Sequence, residues 1–280
     1  MPDQAAEGDA VNLAGSGDAV GGAGAPPLSG STGGLVCSEV SVAFAGVRAL
    51  DKVSLSVNRG EVVGLIGPNG AGKTTLLNVL SGFASTVTGS VHLDGQDITH
   101  FTPQRRARLG LERTFQHGRL FSGLTVRENV ELGALAVRAS SRSARSIADR
   151  LLANLGLEEM ADLPVAQLSH GDQQHVSVAR AVAATPKYLL LDEPAAGLSE
   201  GSMAELGVVI ERAIRESGAG VVLIDHNVDF VLKLSDRVVV LDYGEVLAEG
   251  PSDEIRRNVD VVSAYLGEAG VEDLAASQAQ

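Results

Sequence analysis

The chain has no tryptophan, a single cysteine and only 3% aromatic residues in its 280 positions. One cysteine, Cys37, excludes an internal disulfide and fits a reducing compartment. Basic residues are scarce. Only 22 Lys and Arg stand against 35 Asp and Glu, a formal charge of −13. That balance argues against sequence-independent binding of a nucleic-acid backbone, which demands basic surface. No stretch approaches the roughly 18 continuous apolar residues of a membrane span. The first thirty residues carry neither a basic start nor an apolar signal core. These absences predict a cytoplasmic protein that reaches a membrane only by docking on another chain. Apolar residues, by contrast, make up 44%, ample for a buried core.

Composition divides the chain into three. Residues 1–34 are rich in Gly, Ala and Ser and contain no Lys or Arg. They cannot bury enough apolar surface to offset ordering entropy, and are expected to form a disordered tail. Residues 268–280 read as a second, flexible tail. Between them, strand-type and helical segments alternate, without an internal repeat. Val40–Phe44 and Val53–Val57 alternate as half-buried strands do, and Ser90–Leu93 before Asp94-Gly95 reads as a hairpin arm. Ile147, Leu151, Leu152 and Leu155 form a helical stripe that stops at Gly156, and Met203 to Ile214 form another. Tyr188–Leu191 and Val221–Ile224 are continuous apolar runs, as expected of strands buried on both faces. Val238–Leu241 and Glu245–Leu247 flank a turn at Asp242-Tyr243-Gly244. The pattern predicts an α/β core of parallel strands with crossover helices, and a separate antiparallel patch from the early strands.

The sharpest feature is Gly67-Pro68-Asn69-Gly70-Ala71-Gly72-Lys73-Thr74-Thr75. It fits G-x-x-x-x-G-K-[ST], between an apolar strand run (Val62–Ile66) and a helical run (Thr75–Leu80) that Gly82 stops. Glycines let such a loop wrap an anion with its N–H groups, and the helix N-terminus adds partial positive charge. Gly67, Asn69, Gly70, Gly72, Lys73, Thr74 and Thr75 are therefore the candidate phosphate cradle. Lys73 supplies a full charge for the outer phosphates, and the Thr74 hydroxyl can ligate Mg²⁺.

A second cluster, Leu190-Leu191-Asp192-Glu193-Pro194, places two carboxylates where a buried strand ends. Ligands of open α/β sheets sit beyond the carboxyl ends of the strands. Asp192 is placed to hold Mg²⁺, directly or through water, and Glu193 to act as general base or positioner for an attacking water. Ile224-Asp225-His226 repeats the arrangement, and His226 reads either as a phosphate contact or as a satisfied cap histidine. His92, His100 and His117 have no spacing that suggests a metal site.

In this order, with Leu168-Ser169-His170-Gly171-Asp172-Gln173-Gln174 and Thr114-Phe115-Gln116 between them, the pieces resemble the nucleotide-binding subunit of an ABC transporter over about residues 35–267. The resemblance implies a P-loop NTPase fold with a RecA-like core, an antiparallel β-subdomain and a helical subdomain at about 118–172. It implies ATP and Mg²⁺ as cofactors and ATP hydrolysis as the activity. It assigns Phe44 to adenine stacking, Gln116 to Mg²⁺ and water, Ser169 and Gly171 to the γ-phosphate across a dimer, and His226 to the switch position. Ala195-Ala196-Gly197-Leu198-Ser199 matches the D-loop.

Three residues depart from the family pattern. His170 and Asp172 stand where the signature usually has glycine and glutamine, and Ser199 where the D-loop usually has aspartate. Asp172 adds negative charge where a second ATP is expected. The phrases Arg113–Phe121, Asp192–Leu198, Gly250-Pro251-Ser252, Glu254-Ile255 and Val261–Glu268 are similar to the branched-chain amino acid and urea importer branch. The resemblance implies permease subunits, a second ATP-binding subunit (the same chain or a similar one) and, indirectly, an extracytoplasmic solute-binding protein as partners. It places the chain on the inner face of the cell membrane. The alternatives are an exporter ATPase, with nearly the same motifs, a soluble non-transport ABC ATPase, and a non-hydrolysing partner subunit, against which the intact Lys73, Asp192, Glu193 and His226 argue.

Overall fold

Alternation along the central strands fixes the architecture in the computed structural model, which describes residues 33–114, 120–137, 139–258 and 261. The strands are β1 (Leu35–Phe44), β2 (Val47–Val57), β3 (Val62–Ile66), β4 (Thr88–Leu93), β5 (Gln96–Asp97), β6 (Leu111–Arg113), β7 (Tyr188–Asp192), β8 (Gly220–Ile224), β9 (Arg237–Asp242) and β10 (Glu245–Pro251). The helices are α1 (Lys73–Ser81), α2 (Pro103–Arg108), α3 (Val126–Ala136), α4 (Ser141–Leu155), α5 (His170–Ala183), α6 (Glu200–Ser217), α7 (Val228–Leu234) and α8 (Ser252–Ile255).

Six strands form one sheet in the order β10-β9-β3-β8-β7-β6, parallel except for β10. Successive residues of a strand point to opposite faces. Val62, Leu189, Leu191, Val221 and Leu223 accordingly enter one core with α3 to α6. Val63, Leu65, Leu190, Val222 and Ile224 enter a second core with α1 and the early strands. Both faces are covered, which is why β3, β7 and β8 are apolar without polar interruption.

The early strands make the expected antiparallel patch, β2-β1-β4-β5, longer than the alternating runs suggested. Its hairpins turn on Ala45-Gly46 and Asp94-Gly95, and the β9–β10 hairpin on Tyr243-Gly244. All six residues have positive φ, the geometry that matches strand twist. Strand β6 was not legible as a strand: at three residues it is held by parallel pairing to β7 rather than by a pattern of its own. Helix ends follow side-chain chemistry. Thr125 and Glu128 form a capping box on α3, Ser140 and Ser199 cap α4 and α6, and left-handed Gly82, Gly156 and Gly218 end α1, α4 and α6.

One buried charge ties the two layers together. Arg106 on α2 is 1% exposed, and its guanidinium donates to the carbonyls of Val79 and Leu80 (both 2.6 Å), Thr99 (2.8 Å) and Phe101 (3.1 Å). Val79 and Leu80 lie in the last turn of α1, where carbonyls lack helical partners and the dipole is negative. Burial lowers the Arg106 pKa to about 10, still protonated at neutral pH. Replacing Arg106 by Met leaves the buried Leu80 carbonyl without its donor and takes a donor from those of Thr99, Phe101 and Val79, the last of which keeps the Gly82 N–H, at a cost of about 3 kcal/mol or more. A melting-temperature drop of roughly 6–12 °C is expected, with little recovery in Arg106→Lys, whose ammonium cannot span four acceptors. A Met variant melting with the parent would show that the brace contributes nothing.

Candidate nucleotide site

Strands β3, β8 and β7 end at one edge, and the three candidate segments leave from it. Loop 67–72 follows β3, Asp225-His226 follows β8 and Glu193 follows β7. The loop threads between β2 and the β9–β10 turn. A Cβ on Gly67 would sit well inside contact distance of the Leu241 carbonyl oxygen, and one on Gly72 would lie 2.7 Å from that of Ala49. Both glycines also have positive φ, 154° and 103°. Glycine is required twice over at each. The Gly244 N–H donates to the Ala71 carbonyl at 3.1 Å, so the turn clamps the loop it passes.

Six loop and helix residues, Asn69, Gly70, Gly72, Lys73, Thr74 and Thr75, line a cavity of about 250 Å³, faced by Ala49, Glu193 and His226. Lys73 opens α1 and is 7% exposed. Its Nζ donates to the carbonyls of Gly67 (2.6 Å) and Pro68 (2.9 Å). Burial lowers its pKa, and the nearby Glu193 charge opposes that shift. Glu193 is buried, with φ +49°, a conformation that costs a non-glycine residue energy and clusters at functional sites. Its N–H donates to the Ile224 carbonyl at 2.8 Å, and Asp225 Oδ2 accepts from the Ala195 N–H at 2.8 Å, pinning the turn. His226, by contrast, is exposed, and its Nε2 stands 2.9 Å from Glu193 Oε1.

Asp192 is 7% exposed, with Oδ2 2.8 Å from Arg113 Nη2. Its N–H donates to Thr114 Oγ1 at 3.3 Å. Among the described residues its Oδ1 makes no hydrogen bond. No group of three or more His, Cys, Asp or Glu there could hold a metal ion by itself. A carboxylate oxygen and the exposed Thr74 hydroxyl are hard donors of the kind Mg²⁺ takes beside nucleotide phosphates. The donor chemistry therefore fits Mg²⁺.

Of the remaining candidates, Phe44, Ser169 and Gly171 do not line this cavity. Phe44 flanks the Ala45-Gly46 turn and is 54% exposed, so it is not a core aromatic, and Ala49 is the β2 residue that reaches the cavity. Ser169 caps α5, Gly171 is buried in its first turn, and neither lines the cavity of its own chain. The Ser169 hydroxyl donates to Asp172 Oδ2 at 2.7 Å, and His170 Nε2 lies 3.1 Å from the Ala196 carbonyl oxygen. Gln116 lies outside the described residues. Arg113 was part of a branch-specific phrase in the sequence but had no role assigned; its place three residues before Gln116 was the available signal.

Comparison with known proteins decides the identity. Residues 50–196 match the profile described as ABC transporter, and residues 245–271 one described as branched-chain amino acid ATP-binding cassette transporter. The chain belongs to the ABC transporter family. It is an ATP-binding cassette, an ATPase of that family. It is 38% identical over 250 residues to the high-affinity branched-chain amino acid transport ATP-binding protein BraF of Pseudomonas aeruginosa, covering 84% of this chain and 98% of that one. It is 39% identical over 241 residues to the corresponding LivG protein of Escherichia coli K12, covering 81% and 94%. A crystal structure of a nucleotide-free ATP-binding cassette from an ABC transporter superposes with a TM-score of 0.74 at 31% identity, covering 84% of this chain and 99% of that one. A cassette in its ADP conformation gives 0.73, also at 31%, covering 84% and 98%.

The cassette has a second recess. Glu112, Arg113 and Thr114 face Leu132, Gly133 and Ala136 of α3 and Ser177, Arg180 and Ala181 of α5 across a groove of about 370 Å³. Burial pushes the Glu112 carboxyl up to about 7. The folded cassette therefore holds this proton more tightly than the unfolded chain, and stability contributed by the protonated form is lost as pH rises from about 4.5 to about 7. Glu112→Gln is expected to raise the melting temperature near pH 8 and to change it much less near pH 5. Equal gains at both pH values would remove Glu112 as the source.

Proposed function

We propose that the chain is the ATP-hydrolysing subunit of an importer for branched-chain amino acids or related small solutes. Convergence of Lys73, Glu193 and His226 on one cavity carries the hydrolytic half of this reading. The match at residues 245–271 and the names of BraF and LivG support the solute class. No helix among the described residues is long and apolar enough to cross a membrane, so transport requires permease subunits. The groove between β6, α3 and α5 is the proposed permease contact.

Residues 35–267 form the proposed cassette, with the helical subdomain at about 118–172. Loop N–H groups and the α1 terminus bind the β- and γ-phosphates, and Lys73 exchanges its two carbonyl partners for phosphate oxygens. Thr74, Asp192 and Gln116 would hold Mg²⁺, which supplies charge neutralisation on those phosphates. Glu193 takes a proton from the attacking water as the bond between the γ-phosphorus and the bridging oxygen breaks and ADP leaves. His226 holds the Glu193 carboxylate from the solvent side. Phe44 stacks on the adenine, and Ser169 and Gly171 serve the site of a second ATP-binding subunit. Closure of the pair drives the permease, and the shift is limited to the difference in nucleotide affinity between closed and open states.

Glu193→Gln is expected to keep ATP affinity and to lose turnover by about 100-fold or more. Lys73→Ala is expected to weaken ATP binding by roughly tenfold or more, the loss of charge-assisted bonds. Nucleotide titration and phosphate release measure the two separately; unimpaired turnover in Glu193→Gln sinks its assignment as base. For the solute, the cassette is reconstituted with its permeases in vesicles. ATP-dependent uptake of leucine, isoleucine or valine is expected, and absence of uptake of any small amino acid, urea or amide would overturn the importer reading.

A further inference from the structure

We infer that Arg113 is the positioning residue of Asp192, setting that carboxylate in register with the phosphate-loop helix. The inference rests on the proposed reading of Asp192 and Thr74 as metal-facing groups. Three bonds carry it. Arg113 Nη2 donates to Asp192 Oδ2 at 2.8 Å, while Nη1 donates to Asn78 Oδ1 at 2.7 Å and Ser81 Oγ at 2.9 Å. Asn78 and Ser81 belong to α1, the helix that opens with Lys73 and Thr74. One planar guanidinium thus spans the helix that carries Thr74 and the strand end that carries Asp192. A guanidinium is stiff and its donors lie in fixed directions, so the two elements are held at one spacing.

The Asp192 backbone does not need this bond. It is already paired across the sheet to Ile224, and its N–H donates to Thr114 Oγ1. What Arg113 fixes is the side-chain torsion: with Oδ2 engaged, Oδ1 is the oxygen left for a ligand. Both partners are buried, with side chains 7% and 9% exposed, so water does not replace the bond cheaply. Arg113 also lines the groove between β6, α3 and α5, and the next residue, Thr114, lines it too. The brace is itself part of the groove wall.

The test uses the full chain with ATP and Mn²⁺ as the metal probe, free and bound Mn²⁺ being counted by electron paramagnetic resonance. Nucleotide affinity is measured in parallel with chelator present, and melting temperature on every variant. Arg113→Met is expected to raise the half-saturating Mn²⁺ concentration by roughly tenfold, the usual effect of losing a partner that orients a metal ligand. Metal-free nucleotide affinity should stay within about twofold, because Asn78, Ser81 and Asp192, the three groups the brace joins, do not line the phosphate cavity. Arg113→Lys keeps the charge but not the span, and should fall between Met and parent. Asn78→Ala removes only the helix end of the brace; it should shift Mn²⁺ in the same direction by a smaller factor, and serves if Arg113→Met does not fold. A lower melting temperature in the Arg113 and Asn78 variants with unchanged Mn²⁺ half-saturation would overturn the inference, reducing Arg113 to a structural ion pair. Asp192→Asn separates the two levels. A Mn²⁺ shift in Asp192→Asn alone overturns only the role of Arg113, whereas no shift in either overturns the reading of Asp192 and the inference with it.

Discussion

The site depends on three strands, β3, β8 and β7, lying side by side and parallel. The register sets Gly64 opposite Leu223 and Asp192 opposite Ile224. Antiparallel pairing would send one of the three segments to the far edge of the sheet. Parallel pairing delivers the glycine loop, Asp225-His226 and Asp192-Glu193 to the same edge, where ligands of such sheets bind. Crossover helices are the condition for that pairing. They also bury both faces, so the requirement for a site and the requirement for a core are met by the same topology. The loop is then shaped from outside: the carbonyls of Leu241 and Ala49 approach so closely that only glycine fits at positions 67 and 72.

Two buried arginines stabilise this edge differently. Arg106 donates its hydrogen bonds to carbonyls, and the negative end of α1 together with the Asp97 carboxylate opposes its charge. Arg113 meets a carboxylate and two neutral oxygens, so its charge is balanced by Asp192, the residue next to Glu193. Both contact the C-terminal half of α1, whose N-terminus forms the cradle. A nine-residue helix has little intrinsic stability. Its position is set by apolar residues on one side, Leu76, Leu77 and Leu80, and by these two guanidinium groups.

Local chemistry was readable in the sequence; distant partners were not. The phosphate loop, the acid strand end and the hairpins at residues 94–95 and 243–244 announce themselves because glycine, lysine and alternation act within a few residues. The antiparallel patch followed from its pattern, although β1 and β2 run longer than their clean alternation, since bulges between Cys37 and Ala43 break the period. Arg106 carried no signal: a charged residue in Gln-Arg-Arg-Ala-Arg reads as solvated, and only the approach of α1 buries it. Strand β6 was hidden because three residues cannot display a period, and the Arg113 brace because Asn78 and Asp192 are 35 and 79 residues away from it. Phe44 is a local case as well: its type and place match an adenine contact, and half of it faces solvent beside a tight turn, open to a ligand.

The signature-loop departures acquire a physical meaning from the same geometry. Ser169 accepts from the Asp172 N–H at 3.1 Å and donates its hydroxyl hydrogen to the Asp172 carboxylate. Asp172 thereby completes the cap of α5 and adds charge favourable to the helix dipole. Glutamine at this position could accept the same hydrogen but would not add that charge. The gain has an electrostatic counterpart. On the proposed role of Ser169, a phosphate from a second subunit would meet the carboxylate bonded to that hydroxyl and would have to take the hydroxyl from it. His170 Nε2, 3.1 Å from the Ala196 carbonyl oxygen, holds the start of α5 against the turn after Glu193. Asp172 thus strengthens the helix start and, on the proposed role of Ser169, would make it a poorer electrostatic partner for nucleotide. In a pair of proposed ATP sites, the one using this signature loop would close less firmly than one using a neutral loop. Pairing with a second, different cassette would make the two sites unequal from the outset.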